Sequence, residues 1–132
     1  MATAPRPVDK PRPVYLNLFA IRQPLPAIVS ILHRVSGAAL FAIGLPLALW
    51  TLQTSLGSTA GWDRVTGFFA SPLAKLVLLG LVWAYLHHLF AGVRHLLGDL
   101  HIGLDLASAR RSSAVVVVLA LLITLAIGVR LW

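Results

Sequence analysis

Three long stretches without a charged residue dominate the chain: residues 35–52, residues 76–93, where only histidines interrupt the apolar run, and residues 112–129. Each approaches the roughly 20 apolar residues that a helix needs to cross the hydrocarbon core of a bilayer. A lipid-embedded segment must satisfy its own backbone hydrogen bonds, so the stretches predict helices and an all-α fold. The organisation expected is an N-terminal arm over residues 1–25 and a domain of three transmembrane helices over residues 26–132.

Punctuation sets the expected boundaries. Pro24 and Pro26 open helix one, predicted over about 26–52, with Pro46 as a modest kink and Trp50 at the far interface. The Gly/Ser/Thr-rich stretch 53–70 reads as a connection with one Asp63-Arg64 pair. Ser71-Pro72 reads as an N-cap followed by proline at the first helical position, so helix two is predicted over about 72–98. A short charged loop follows, and Ser112 or Ser113 is expected to cap helix three, about 112–132, with Arg130 snorkelling at its end. The arm is basic and proline-punctuated, which suits an extended segment lying on a partner, and residues 15–21 are apolar but too short to span.

Composition agrees with the pattern: 58% of residues are hydrophobic and only 11% charged, against about 25% charged in soluble domains. The net charge of +7 comes without a basic patch interleaved with stacking aromatics, which argues against nucleic acid as a partner. It reads instead as membrane topology. Arg6, Lys10, Arg12, Arg22, Arg34, Arg94, Arg110 and Arg111 fall on one side, and Arg64, Lys75 and Arg130 on the other. By the positive-inside rule the N-terminus is cytoplasmic and the C-terminus outside, as expected for a multi-pass protein of a bacterial inner membrane. Cysteine is absent, which removes disulfides, thiolate metal sites and cysteine nucleophiles and leaves histidine as the candidate ligand.

Ionisable residues inside a span are costly, about 2.5–3.5 kcal/mol for a central arginine on insertion scales, and are functional candidates by default. Ser30, His33, Arg34 and Gly37 fall on one face of helix one, and His88, Gly92, His95 and Asp99 form one stripe of helix two, continued by the small residues Gly80 and Ala84. A projecting imidazole flanked by small residues suits a flat macrocycle, while small residues at this spacing also serve plain helix packing. His33 and His88 lie roughly 10 and 15 Å from the cytoplasmic ends of their helices, so both clusters occupy one half of the membrane. His87, turned about 100° from His88, is expected to face another subunit or a polar niche, and His101 to be solvated in its loop. Arg94, off the stripe, reads as a snorkelling arginine or a cofactor contact. Trp62, Trp83, Tyr85 and Trp132 read as interfacial or lipid-facing aromatics.

Two motifs carry a resemblance. Arg12-Pro13 followed by Ser30-Ile31-Leu32-His33-Arg34-Val35-Ser36-Gly37, and His88-x3-Gly92-x-Arg94-His95-x3-Asp99, resemble the signatures of the larger cytochrome b anchor subunit of succinate dehydrogenase. The resemblance covers almost the whole chain. It implies that His88 is an axial ligand of haem b, that Ser30 and Arg34 line the ubiquinone site, and that His33 lies near the haem propionates; the depth of the two clusters adds Arg34 and His95 as candidates to pair with those propionates. The resemblance implies partners too: a smaller cytochrome b anchor subunit supplying the second haem ligand, an iron-sulfur subunit and an FAD-bearing flavoprotein that oxidises succinate. The chain by itself is expected to be inactive. Rival readings are a haem-free structural anchor, a small ion carrier relaying through His33, His88, His95 and Asp99, and the anchor of a quinol:fumarate reductase.

Overall fold

The computed structural model describes Asn17 and residues 20–132, so most of the predicted arm, Arg12-Pro13 included, lies outside the described residues. Every regular element among the described residues is helical, and three helices are long and apolar enough to cross a membrane.

The first span opens as expected, with Pro24 extended at the N-cap and Pro26 in the first turn. It comprises α1 (Leu25–Ala39), a π-helical segment (Leu40–Gly44) and α2 (Leu45–Gly57), continuous over 33 residues. At 1.5 Å per residue that is about 50 Å, longer than the ~30 Å hydrocarbon core, so the helix runs past its predicted end at residue 52. Pro46 explains the π segment. A proline ring collides with the carbonyl four residues back in an α-helix, and the wider turn, in which the Leu45 N–H bonds the Leu40 carbonyl, falls immediately before it. The kink expected at Pro46 thus takes the form of a π-bulge.

The stretch read as a connection holds a helix of its own, α3 (Thr59–Ala70). Ser58 caps it, its Oγ accepting from the Gly61 N–H at 3.0 Å. Gly61 lies directly over the Thr54 carbonyl of α2, where any Cβ would collide, and Trp50 of α2 meets Phe68 edge-on with ring centroids 5.2 Å apart. Helix α4 (Pro72–Asp99) starts as predicted, Ser71 Oγ accepting from the Ala74 N–H at 3.3 Å. Helix α5 (Leu106–Leu131) starts six residues before the predicted position. Its cap is Asp105, which accepts from the Ser108 N–H at 2.9 Å. Ser112 and Ser113 lie inside the helix and bond back to the Ala109 carbonyl at 3.2 and 2.7 Å, so neither is the cap.

Helices α1, α4 and α5 pack on one another, and α3 lies against α2 and α4. The buried positions are mostly small: Ala74, Ala84, Ala91, Ala120, Ser36 and Ser113. Large apolar residues face outward, Phe41, Leu56 and Val129 among them. This inverted distribution is that of a bundle in lipid, where helices associate by close backbone approach and not by hiding apolar surface from water. The core of Val29, Ala91 and Val116 joins α1, α4 and α5 beside the histidines. At the opposite end, Lys75 Nζ donates to the Leu131 carbonyl at 3.0 Å and lies over the Trp132 ring, fastening the start of α4 to the end of α5.

Candidate functional site

Antiparallel packing of α1 and α4 brings the two polar clusters to one level. The His33 and His88 rings stack face to face, centroids 4.1 Å apart and planes 10° from parallel. His95, two turns further along α4, tilts against the other end of the group with its centroid 5.1 Å from that of His33. Three imidazoles from two helices therefore form one continuous cluster.

The orientation of His88 is set by the backbone of α1. Its Nδ1 lies 2.9 Å from the His33 carbonyl oxygen and 3.3 Å from Ser36 Oγ. A carbonyl oxygen can only accept, so in the neutral ring Nδ1 carries the proton and Nε2 keeps the lone pair. Gly37 makes this approach possible: a Cβ there would sit 2.7 Å from His88 Cε1, inside van der Waals contact. The glycine that matters most to His88 is thus on the facing helix. Within the stripe on α4, Gly92 would place a Cβ 3.5 Å from His33 Nε2, an ordinary contact, while Gly80 faces open space.

Ser30 and Arg34 share the face of α1 expected of them, one turn apart. Ser30 is half-buried and Arg34 exposed, and neither hydrogen-bonds to another described residue. Asp99 is exposed at the end of α4. Arg94 departs from a purely snorkelling role by donating from Nε to Ser112 Oγ at 3.1 Å, which links α4 to α5. His101 is exposed in its loop, as expected, with a positive φ of 62°.

Of the two expectations for His87, another subunit or a polar niche, the first fails. The ring does not face outward toward another subunit; it is wholly buried within the bundle, its Nε2 3.5 Å from the Val29 carbonyl and its Nδ1 unpartnered among the described residues. Trp83, expected to be interfacial or lipid-facing, is half-buried and stacks on His87 with centroids 5.3 Å apart. Ser36, at 2% exposure, is the site residue that sequence reasoning left without a role. The signal lay in its position three residues after His33, where a serine hydroxyl reaches back to the carbonyl of its own helix.

Chemically, the site offers one fixed imidazole with a free Nε2 lone pair, two further imidazoles and, a turn away, a hydroxyl and a guanidinium. No group of three or more metal-binding side chains converges among the described residues. A single oriented imidazole is instead the donor that the iron of a flat macrocycle takes from one side, and the donor's other nitrogen bonded to a carbonyl is the usual arrangement for a metal-bound histidine.

Over residues 8–127 the sequence matches the family described as succinate dehydrogenase/fumarate reductase transmembrane subunit. Its relatives include the succinate dehydrogenase cytochrome b556 subunit of Paracoccus denitrificans, 38% identical over 77% of this chain and 78% of the relative. That of Coxiella burnetii is 34% identical over 92% and 97% of the two chains. The mitochondrial cytochrome b560 subunit of Sus scrofa is 30% identical over 84% of this chain and 66% of its own length.

Proposed function

The chain belongs to the succinate dehydrogenase/fumarate reductase transmembrane subunits, as a cytochrome b membrane anchor of succinate dehydrogenase, and on that premise we propose that it ligates haem b through His88 and builds a ubiquinone-reduction site with Ser30 and Arg34. The observation that carries the haem reading is the 2.9 Å contact of His88 Nδ1 with the His33 carbonyl, which leaves Nε2 as the donor. His33 and His95, clustered with His88, and Arg34 on the same face as His33 supply the donors that propionate carboxylates need. When bound, the haem supplies a one-electron centre that the side chains lack.

Ser30 and Arg34 act on the quinone itself. A quinone carbonyl oxygen gains negative charge on reduction, and donors already in place stabilise that charge as it grows. Among the described residues neither side chain has a hydrogen-bond partner to release before it can donate to a ligand. The electrons originate in succinate oxidation at a flavoprotein and arrive through an iron-sulfur subunit. A smaller anchor subunit completes the haem site, and the complex lies in the inner membrane with this chain's N-terminus in the cytoplasm. The chain alone is inactive.

A reduced-minus-oxidised spectrum of the purified complex tests the haem assignment. His88→Leu should abolish or displace the b-type band, whereas an unchanged band and midpoint potential would refute the assignment. For the quinone site, Ser30→Ala and Arg34→Leu should depress succinate-to-quinone activity by about 10²–10³-fold, the cost of removing one such donor elsewhere, while succinate oxidation by a soluble dye persists. Equal loss of both activities would signal failed assembly.

A further inference from the structure

We propose that Ser36 is the positioning residue that fixes the rotation of the His88 ring, so that its Nε2 is presented in one direction. The inference rests on His88 being the haem ligand and adds a residue with no assigned part in that site. Ser36 is buried, and its Oγ donates to the carbonyl of His33 at 2.9 Å. With its proton committed there, the lone pairs of Oγ remain, and His88 Nδ1 is 3.3 Å away on a helix fifty-two residues distant in sequence. The Nδ1–H therefore has two acceptors, the His33 carbonyl and the Ser36 hydroxyl, both on α1.

Two acceptors flanking one N–H restrict rotation of the ring about its bond to Cβ, which a single acceptor permits over a wide arc. The ring is confined in its other directions as well. The backbone at Gly37 limits its approach to α1, and the His33 ring covers one face. A serine bonded to the carbonyl three residues back is common in membrane helices and satisfies the hydroxyl without further purpose. What separates Ser36 from that ordinary case is the ring nitrogen of a second helix at the remaining side of its oxygen.

The test compares Ser36→Val, Ser36→Thr and His88→Leu in the assembled complex. Ser36→Val and Ser36→Thr add the same bulk at this buried position, and only Ser36→Thr keeps the hydroxyl. Outer-shell partners of metal-bound histidines are worth about 10–100-fold in affinity, so haem transfer to apomyoglobin should be at least tenfold faster from Ser36→Val, with a shifted and broadened low-spin EPR signal. Ser36→Thr should restore the wild-type signal and rate. A Ser36→Val complex indistinguishable from wild type, or a Ser36→Thr complex as impaired as Ser36→Val, would overturn the proposal. Solid-state ¹⁵N spectra of the complex from haem-deficient cells read the His88 ring directly. Wild type should show the Nδ1–H tautomer alone, Ser36→Val a mixture, and equal spectra would again overturn it. Haem retained at wild-type level in His88→Leu would defeat the ligand assignment itself, an outcome distinct from failure of Ser36.

Discussion

Glycine-to-alanine changes should separate positions that look alike in the sequence. At Gly37 the added methyl would lie 2.7 Å from His88 Cε1, so either the ring moves or the helices part. Overpacking of this kind costs about 1–3 kcal/mol, and Gly37→Ala should lower both the haem content and the melting temperature of the complex. Gly80→Ala meets nothing within 4 Å among the described residues, and any loss it caused would report contact with a partner. The two adjacent histidines should separate as sharply. Among the described residues His87 has a buried, unpartnered Nδ1 and a 3.5 Å contact at Nε2, and such a group costs about 1–3 kcal/mol. His87→Leu should therefore leave thermal stability unchanged or raised, with the haem band intact, and loss of the band would contradict this. Periodicity grouped His88 with His95, because residues three, four and seven apart share a helix face, and depth along the two helices brought His33 to their level. Neither could reveal Ser36, whose partner is a ring on another helix, or that His87 rather than His88 is the wholly buried imidazole, since burial depends on how α1 and α5 close over α4.

Element boundaries were legible where a cap has an unmistakable partner and obscured where two caps compete. Ser71-Pro72 announced α4, but α5 offered Asp105, Ser108, Ser112 and Ser113 within one short stretch, and the apolar run began only after the serines. Asp105 prevails because it precedes the turn whose free N–H groups it satisfies. Helix α3 was hidden because it is short and rich in glycine and threonine, poor helix formers; it holds through its Ser58 cap and its close seat on α2 at Gly61. The Asp105 cap carries a pH dependence. Hydrogen bonds from Ser108, side chain first and then backbone N–H, hold its carboxyl below the usual carboxylate value. A group lowered in the folded state contributes fully above its unfolded value and loses that contribution as pH falls through the folded one. Amide exchange over the first turn of α5 should stay slow at neutral pH and quicken selectively in acid, below the ordinary carboxylate range. Asp105→Asn, which caps without titrating, should flatten that response, and an identical acid response in both would remove Asp105 as its origin.

On the scale of the whole molecule, the outward apolar side chains suit lipid, and a groove of about 700 Å³ opens between the π-bulged first span and α4, lined by Gly44, Leu81 and Tyr85 among others. The histidine cluster bears on how a haem would be held. Two axial ligands of one iron approach from opposite sides of the porphyrin, each about 2 Å from the metal, with the macrocycle between them. His33 and His88 instead stack face to face at 4.1 Å with nearly parallel planes, leaving no room for a ring between them. His95 occupies the same helix as His88, roughly 10 Å along it, and approaches from the same side. No pair among these three clamps one haem in this packing of α1 on α4, and on the proposed haem-binding reading the second ligand comes from a partner anchor subunit. The chain expressed alone and supplied with haem should give at most a weak five-coordinate spectrum, converting to the low-spin six-coordinate form when the partner is co-expressed. A stable six-coordinate spectrum from the isolated chain, abolished by His33→Ala, would show that α1 rotates on α4 to place His33 across the haem and that the site is internal.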